Sequence, residues 1–119
     1  MFIRYLFAAT LFAASTVLIA APAQDKDGML VDSEGMTLYT YDKDSEGIST
    51  CHSTCAENWP PLEAMAGETG SGKWSVVTRE DGISQWSYKG KPLYTYARDM
   101  EPGDRDGEGK GGVWHVAKP

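Results

Sequence analysis

The sequence predicts a mainly β fold: a small antiparallel β domain made of two related hairpin units, with a short helical insertion that a disulfide clamps. Two observations lead to this prediction. Segments rich in aromatic and β-branched residues alternate with period two, and turns rich in Gly and Asp separate them. One such segment occurs twice in the chain. We expect both copies to pack into one core, because two repeats are too few for a solenoid.

The first 23 residues have the pattern of a signal peptide. Arg4 precedes an almost unbroken apolar run, and Ala21-Pro22-Ala23 fits the small-x-small pattern of a cleavage site. The alternative is a retained membrane anchor, since the run is about as long as a span requires. We expect cleavage, which leaves residues 24–119 as a single domain. No cysteine directly follows the run, so we expect no lipid attachment and no stable membrane anchor after cleavage.

The mature chain is acidic. It keeps all 17 acidic residues and loses only Arg4 from the 11 basic ones, which gives a formal charge of 10 − 17 = −7. Such a surface repels nucleic acid and anionic membranes, so we expect neither as a partner. The export signal predicts a periplasmic or secreted location, where the partner is an unknown protein or small molecule.

The repeated segment covers residues 35–44 and, 55 positions later, residues 90–99. Both copies contain Leu-Tyr-Thr-Tyr, and both end on aspartate. Period-two alternation places Leu38 on one face of the first copy, and Tyr39 and Tyr41 on the other face. We expect both copies to be strands.

Turn signals predict the hairpins. Residues 32–35 separate 29–31 from the first motif copy, and Asp81-Gly82 separates 74–78 from 83–88. A last strand is expected over 112–117, with Val113, His115 and Ala117 on one face and Trp114 and Val116 on the other. The repeat units accordingly span about 28–62 and 74–117.

The segment 51–62 has no strand pattern. We expect Thr50 or Ser53 to cap a short helical turn that Pro60-Pro61 ends. Cys51 and Cys55 reach an oxidising compartment, so a disulfide is the expected state. The polar Gly-rich loops 66–73 and 102–112 are expected to be exposed and mobile.

The motifs of this chain resemble those of a known family. The tyrosine motif, the cysteine segment with its Trp-Pro-Pro, and the closing Gly-Val-Trp-His-Val are similar to the secreted-repeat family of bacterial predicted lipoproteins. That family is defined by a Tyr-x-aromatic-x-x-Asp motif. The motif occurs here twice, at Tyr39, Tyr41 and Asp44 and at Tyr94, Tyr96 and Asp99. The resemblance implies a secreted or periplasmic location, but no functional residues, because the family has no agreed activity. The family commonly has a lipid anchor, and this chain lacks the lipid-acceptor cysteine.

The acidic residues allow two interpretations. Asp44 and Asp99 are placed to accept backbone N–H bonds in turns. Alternatively, carboxylates gather around calcium, which prefers oxygen ligands. The candidate ligands are Asp42, Asp44 and Glu46 around the first loop, or Asp99, Asp104, Asp106 and Glu108 around the second. Neither loop completes the calcium-loop pattern, since no glutamate stands at its final position, and we favour the structural interpretation.

The cysteines also allow redox or metal chemistry. A redox pair needs a thiolate of lowered pKa, for which only His52 and a helix N-terminus offer help, and the spacing is not that of thioredoxin. Copper or zinc binding is a further possibility, by reduced Cys51 and Cys55 with His52, or by His115 with Met65 or Met100. The two histidines lie more than sixty residues apart, which gives this possibility no support from spacing.

The aromatic residues are candidates for the core or for a contact surface. The four motif tyrosines point to one side of the sheet, where they either fill the core or form a platform for a sugar, peptide or hydrophobic cofactor. All three Phe lie in the predicted signal peptide, so the mature core must use other rings. This favours the core interpretation. Trp59 and Trp114 are further candidates for a contact site.

The sequence indicates the function of the protein only in general terms. The sequence contains no nucleophile-elbow motif and no phosphate-binding loop, so we expect no catalytic activity and no cofactor. The favoured interpretation is an exported binding or interaction module of unknown ligand. The alternatives are a periplasmic protein that handles calcium or copper and, third, a thiol redox protein.

Overall fold

The computed structural model describes residues 21–119, so most of the predicted signal peptide lies outside the described residues. Within this range the chain forms seven short strands, one α-helix (α1, Thr54–Asn58) and a 3₁₀ turn (Lys110–Gly112). The strands are β1 (Gln24–Lys26), β2 (Met29–Val31), β3 (Tyr39–Tyr41), β4 (Trp74–Thr78), β5 (Ser84–Tyr88), β6 (Lys91–Pro92) and β7 (Trp114–Val116). No helix within this range has the length and apolar character that a membrane span requires.

All strand pairs are antiparallel, which confirms the predicted mainly β fold class. β1 pairs with β2, β3 pairs with β7, and β4, β5 and β6 form a three-stranded sheet in that order. The hairpin predicted around Asp81-Gly82 is β4–β5, with Trp74 opposite Tyr88 and Thr78 opposite Ser84. The sequence pattern does not predict β1, because its three exposed polar residues show no alternation.

The two repeat units exchange strands instead of folding separately. β3 of the first unit pairs with β7 at the end of the second, with Thr40 opposite His115. On its other edge, Tyr39 exchanges two backbone hydrogen bonds with Tyr94, at 2.8 and 3.0 Å. The first predicted hairpin is reduced to a turn at 32–36 with one bridge between Val31 and Thr37. Strands of the first repeat unit therefore pair with segments of the second.

The second motif copy does not form the strand that the sequence predicts. Only Lys91–Pro92 is a strand, and 93–96 continues as an extended segment with isolated bridges. Its backbone N–H groups donate to three different segments: Leu93 to Trp86, Tyr94 to Tyr39 and Thr95 to Pro60. Because each partner pairs for only a residue or two, no continuous ladder develops here.

Two buried clusters make up the core, and the alternation predicted for the first motif separates them. Leu38 packs in one cluster, with Ala23, Leu30, Leu93 and Ala117. Tyr39 packs in the other, with Cys51, Trp59, Tyr94, Tyr96 and Trp114. The alternation predicted for 112–117 fails at Val113, which packs on the same cluster as Trp114. Val113 follows the 3₁₀ turn with ψ of −7°, so the backbone is not yet extended there.

The predicted disulfide between Cys51 and Cys55 is confirmed, with the two Cα atoms 5.2 Å apart. It lies at the start of α1, which ends before Trp59 and Pro60, as the prolines predict. Ser53 is the N-cap residue, as predicted, but it has φ of 56° and the expected side-chain capping bond is absent.

Arg79 is a buried charge that fastens the cysteine segment to the β4–β5 hairpin. Its guanidinium donates to the Cys51 carbonyl at 2.7 Å and to Ser49 Oγ at 2.8 Å. It also donates to Gln85 Oε1 at 2.9 Å and to the Asp81 carboxylate at 3.1 and 3.2 Å. A buried guanidinium requires such full pairing, because an unpaired charge would lose its hydration without compensation.

The prediction that loop 102–112 is exposed is wrong for its centre. Gly107 is buried, and a Cβ at this position would lie 2.6 Å from the Trp59 ring and 2.9 Å from the Tyr39 ring. Nearby, the Thr37 hydroxyl donates to the Asp104 carbonyl at 2.6 Å. This loop therefore forms part of the wall of the aromatic cluster.

Candidate functional site

The tyrosine of each motif copy reaches the aspartate of the other copy. The Tyr39 hydroxyl donates to Asp99 Oδ2 at 2.6 Å, and the Tyr94 hydroxyl donates to Asp44 Oδ2 at 2.6 Å. In the sequence, Tyr39 and Asp44 belong to one motif copy, but the fold joins each tyrosine to the other repeat. The two Tyr–Asp pairs therefore link the repeats through two equivalent bonds.

The phenol oxygens of both pairs also accept a hydrogen bond. The Gly107 N–H donates to the Tyr39 oxygen at 3.2 Å. Ser49 Oγ lies 2.6 Å from the Tyr94 oxygen and must be the donor, because the single phenol proton is directed at Asp44. Each phenol is therefore both donor and acceptor in a buried network, which fixes its position.

In both pairs, the second carboxylate oxygen of the aspartate accepts a backbone N–H from the loop that follows it. Asp44 Oδ1 accepts the Thr50 N–H at 2.8 Å, and Asp99 Oδ1 accepts the Asp106 N–H at 3.0 Å. These donors lie six and seven residues downstream. The aspartates thus accept backbone bonds, as the sequence predicts, but across longer loops than an Asx turn.

Burial changes the acidity of these groups. It raises the pKa of the Tyr39 and Tyr94 phenols well above their ordinary value, and the hydrogen bond to a carboxylate raises each pKa further. Burial also raises the pKa of Asp99, against the opposing effect of the bonds that it accepts from Tyr39 and Asp106. Both phenols consequently remain protonated donors at neutral pH.

A stack of four aromatic rings runs through the same cluster. Tyr41 stacks on Trp114 at 4.2 Å, Trp114 on Trp59 at 3.8 Å, and Trp59 on Tyr96 at 4.3 Å between ring centroids. Trp59 and Trp114 are 55 positions apart, which is the offset of the motif copies. Tyr41 and Tyr96 have the same offset, so each half of the stack contains the equivalent residues of the two repeats. We call Trp59 and Trp114, which lie at the centre of the stack, the indole pair.

This packing excludes the aromatic contact surface for most of the candidate rings. Trp59 and Trp114, expected as possible contact residues, are only 6% and 5% exposed. Tyr39, Tyr94 and Tyr96 are also buried, whereas Tyr41 is half-buried. These rings therefore fill the core, as the lack of Phe in residues 24–119 favours.

Three of the four acidic candidates for calcium around the second loop lie together. Oxygens of Asp99, Asp104 and Asp106 lie within 4.8 Å of one another, whereas Glu108 is directed away and accepts the Val116 N–H at 2.6 Å. Asp104 already accepts the N–H groups of Met100 and Glu101, at 2.9 and 3.0 Å. Asp99 is engaged by Tyr39 and by the Asp106 N–H, so protein donors already occupy two of the three carboxylates.

The soft-metal candidates are not brought together. Cys51 and Cys55 are bonded to each other, so neither offers a thiolate. His52 Nε2 lies 3.6 Å from Glu80, and its Nδ1 is buried with no hydrogen-bond partner among residues 21–119. Met65 and Met100 are exposed. Within the described part of the chain, the three aspartates above are the one group of three potential His, Cys, Asp or Glu ligands.

His115 lies between two carboxylates on the surface. Its Nε2 is 2.8 Å from Asp42 Oδ2, and its Nδ1 is 3.8 Å from Glu108 Oε1. Because both ring nitrogens face a carboxylate, neither is directed at a hydroxyl that it might deprotonate as a general base. The arrangement is a hydrogen-bonded pair of surface side chains and does not resemble a nucleophile with its base.

Two adjoining cavities lie where the repeats meet, and we call them together the inter-repeat cleft. Their volumes are about 470 and 350 Å³, and both are lined by Thr40, Asp42, Lys89 and Lys91. The first cavity also includes Asp44 and Glu46. The second cavity also includes Lys118 and His115. Its floor is apolar and consists of Tyr88, Leu93, Val116 and Ala117. Each repeat supplies part of the wall.

Comparison with known proteins identifies the family. The sequence model of a family described as a secreted repeat of unknown function matches residues 21–63 and again residues 75–118. The chain belongs to this family of secreted repeats. The predicted resemblance and the duplication are thereby confirmed, and the protein is an exported one. No curated protein and no solved structure matches the chain.

Sequence reasoning missed several features of this secreted repeat. The exchange of tyrosines and aspartates between repeats leaves no mark in the sequence, because both arrangements use the same motif. The indole pair did have a signal, since Trp59 and Trp114 share the 55-residue offset of the motif. The burial of Arg79 and the grouping of the cleft lysines depend on long-range contacts and have no local signal.

Proposed function

We propose that this secreted repeat is an exported binding module without catalytic chemistry of its own, and that the inter-repeat cleft holds a small-molecule ligand. The observation that carries the proposal is the position of the cleft. Its two cavities are within the usual size range of ligand sites and lie at the junction of the two halves, where such sites commonly occur.

The cleft is also the place where the two repeats differ in chemistry. The core residues repeat at the 55-residue offset, as Tyr39 and Tyr94 or Trp59 and Trp114 do. The pair Asp42 and His115 has no equivalent, because the corresponding positions are Ala97 and Pro60. A duplicated core explains the shared residues but not this pair, which supports a separate role for the cleft.

The test compares a cleft variant with its counterpart in the other repeat. The low-mass fraction of an extract of the exported compartment is added to ¹⁵N-labelled protein, and amide shifts are followed. We expect shifts to concentrate at Thr40, Asp42 and Lys91. Thr40→Trp, which fills the cleft, should abolish them, while Thr95→Trp at the matching position should retain them.

Shifts located elsewhere, for example around Arg98 and Lys110, would contradict a ligand site in the cleft. The same conclusion would follow if the extract produced no shifts at all. Both variants must first give the dispersed amide spectrum of the folded protein, so that loss of binding is distinguished from loss of fold.

A further inference from the structure

Three lysines surround the second cavity of the inter-repeat cleft. Lys89, Lys91 and Lys118 all line it, and all three are exposed. Among residues 21–119, none of their ammonium groups lies within 4 Å of a carboxylate, since the ion pairs there involve only His52, Arg79 and His115. In a mature chain with a predicted charge of −7, this is a local concentration of positive charge without internal neutralisation.

The nearby carboxylates already have other partners. Asp42 is hydrogen-bonded to His115 at 2.8 Å. Asp44 accepts the Tyr94 hydroxyl with one oxygen and the Thr50 donors with the other. Glu46 lies in the first cavity and does not line the second. Asp42 is the one carboxylate that lines the second cavity, so three lysines face a single acidic side chain there.

The floor between the lysines is apolar. Leu93 and Ala117 belong to a buried cluster, and Tyr88 packs against the same cluster. Lys89 Nζ lies 5.4 Å from the centre of the Tyr88 ring, so cation and ring are adjacent. A ligand with an acidic group and an apolar body would satisfy both the rim and the floor.

The other repeat provides an internal comparison. At the 55-residue offset, Lys89 corresponds to Glu34, Lys91 to Met36 and Lys118 to Glu63. The repeats thus keep the same aromatic core but replace two of the three cations by acids. The lysine rim is consequently a property of one side of the molecule and not of the repeated fold.

We infer that the ligand of the inter-repeat cleft is a small organic anion, in which a carboxylate is attached to an apolar body. The lysine ammonium groups bind the carboxylate, and Tyr88, Val116 and the aliphatic lysine stems contact the body. This inference rests on the proposed function and names the chemical class of ligand.

The experiment uses three matched probes with the full chain: hexanoate, hexanamide and acetate. We expect hexanoate to shift the amides of the cleft and to bind at least about tenfold more tightly than either the uncharged amide or the anion without a body. Lys91→Met and Lys118→Met should each weaken hexanoate binding about threefold or more, and added salt should weaken it in the native protein. Lys110→Met, outside the cleft, should leave it unchanged.

Equal binding of hexanoate and hexanamide, or equal binding by native protein and both cleft lysine variants, would overturn the assignment of an anion. Shifts confined to the Arg98 and Lys110 region would overturn it as well. If the compartment extract shifts the cleft in a manner that Thr40→Trp abolishes, yet hexanoate does not bind, the ligand class is wrong and the proposed function stands. If neither binds, both fail.

Discussion

The Tyr–Asp pairs explain at the level of single residues why the family motif combines these residue types. A buried carboxylate needs a strong donor, and a buried phenol needs an acceptor. Each pair meets both needs with one bond of 2.6 Å, and Gly107 or Ser49 supplies the additional donor. The motif aspartate therefore serves the fold by accepting a phenol from the other repeat.

The first prediction concerns alkaline pH. The pKa of Tyr39 and of Tyr94 is raised in the folded protein, so both stay protonated while the unfolded chain ionises above pH about 10. Stability from this source is complete below that pH and is lost as the pH rises further. The urea midpoint should fall steeply above pH about 10. A double variant, Tyr39→Phe with Tyr94→Phe, should show a flatter profile.

Titration of phenol absorbance provides the second readout of this prediction. In the native protein, two phenols should ionise only together with unfolding, because their neutral form is held by burial and by Asp99 or Asp44. Ionisation of all phenols near pH 10 in a protein that remains folded would contradict the assigned burial.

The second prediction concerns the indole pair. Trp59→Ala should lower the free energy of unfolding by about 3–5 kcal/mol, because it leaves a cavity between Trp114 and Tyr96. Urea denaturation measures the change, and Trp114→Ala should cost a similar amount. Met100→Ala, at an exposed site, is the control and should change stability by less than about 0.5 kcal/mol. A loss that small at Trp59 would show that the ring is not part of the core.

The elements of this protein are short, and side-chain contacts hold several of them in place. The longest strands have five residues, and α1 has five as well. Such elements have little stability on their own. Arg79 fastens the α1 segment to the β4–β5 hairpin, and the disulfide clamps the start of α1. Gly107 allows loop 102–112 to lie against the aromatic cluster.

The third prediction tests the close approach at Gly107. Gly107→Ala should lower the free energy of unfolding by about 1–3 kcal/mol, because the new Cβ would overlap the rings of Trp59 and Tyr39. The change should also alter near-ultraviolet circular dichroism, which reports on those rings. Ser71→Ala in the exposed loop serves as control. An unchanged urea midpoint for Gly107→Ala would show that the loop lies farther from the cluster.

The local sequence pattern correctly predicted the elements whose pairing partners lie close in the sequence. The β4–β5 hairpin follows from alternation around Asp81-Gly82, and the alternation of Leu38 and Tyr39 separates the two clusters. The pattern failed where a segment pairs with distant partners. Residues 93–96 have strand composition, but their backbone bonds go to three different segments.

The candidate site was less predictable than the fold. The sequence identifies the motif residues and the cysteine pair, but not which tyrosine meets which aspartate. The cleft is harder still, because its lysines come from the β5–β6 turn and from the end of the chain. The pairing of β3 with β7 brings the end of the chain beside Thr40, and the backbone bonds between Tyr39 and Tyr94 bring the β6 segment there.

In the whole molecule, each repeat supplies strands and side chains that pair with those of the other repeat. β3 pairs with β7, the Tyr–Asp pairs cross between repeats, and the central indoles come from different repeats. A single repeat would expose its aromatic face and leave a tyrosine and an aspartate unpaired. The two halves should therefore fold only together.

The fourth prediction follows from that dependence. Residues 24–66 and 67–119, prepared as separate fragments, should each lack a near-ultraviolet dichroism signal, because neither buries its rings alone. Mixed in equal amounts, they should recover the signal with a midpoint that depends on concentration. A folded spectrum from either fragment alone would show that the halves are independent domains.

A double-mutant cycle tests the exchange between repeats most directly. The free energy of unfolding is measured for Tyr39→Phe, Asp99→Ala and Asp44→Ala, and for the two double variants that contain Tyr39→Phe. We expect a coupling of about 1–2 kcal/mol between Tyr39 and Asp99, since they share a 2.6 Å bond, and less than about 0.5 kcal/mol between Tyr39 and Asp44. Strong coupling of Tyr39 to Asp44 with none to Asp99 would contradict the exchange, because it would place both halves of the bond in one repeat.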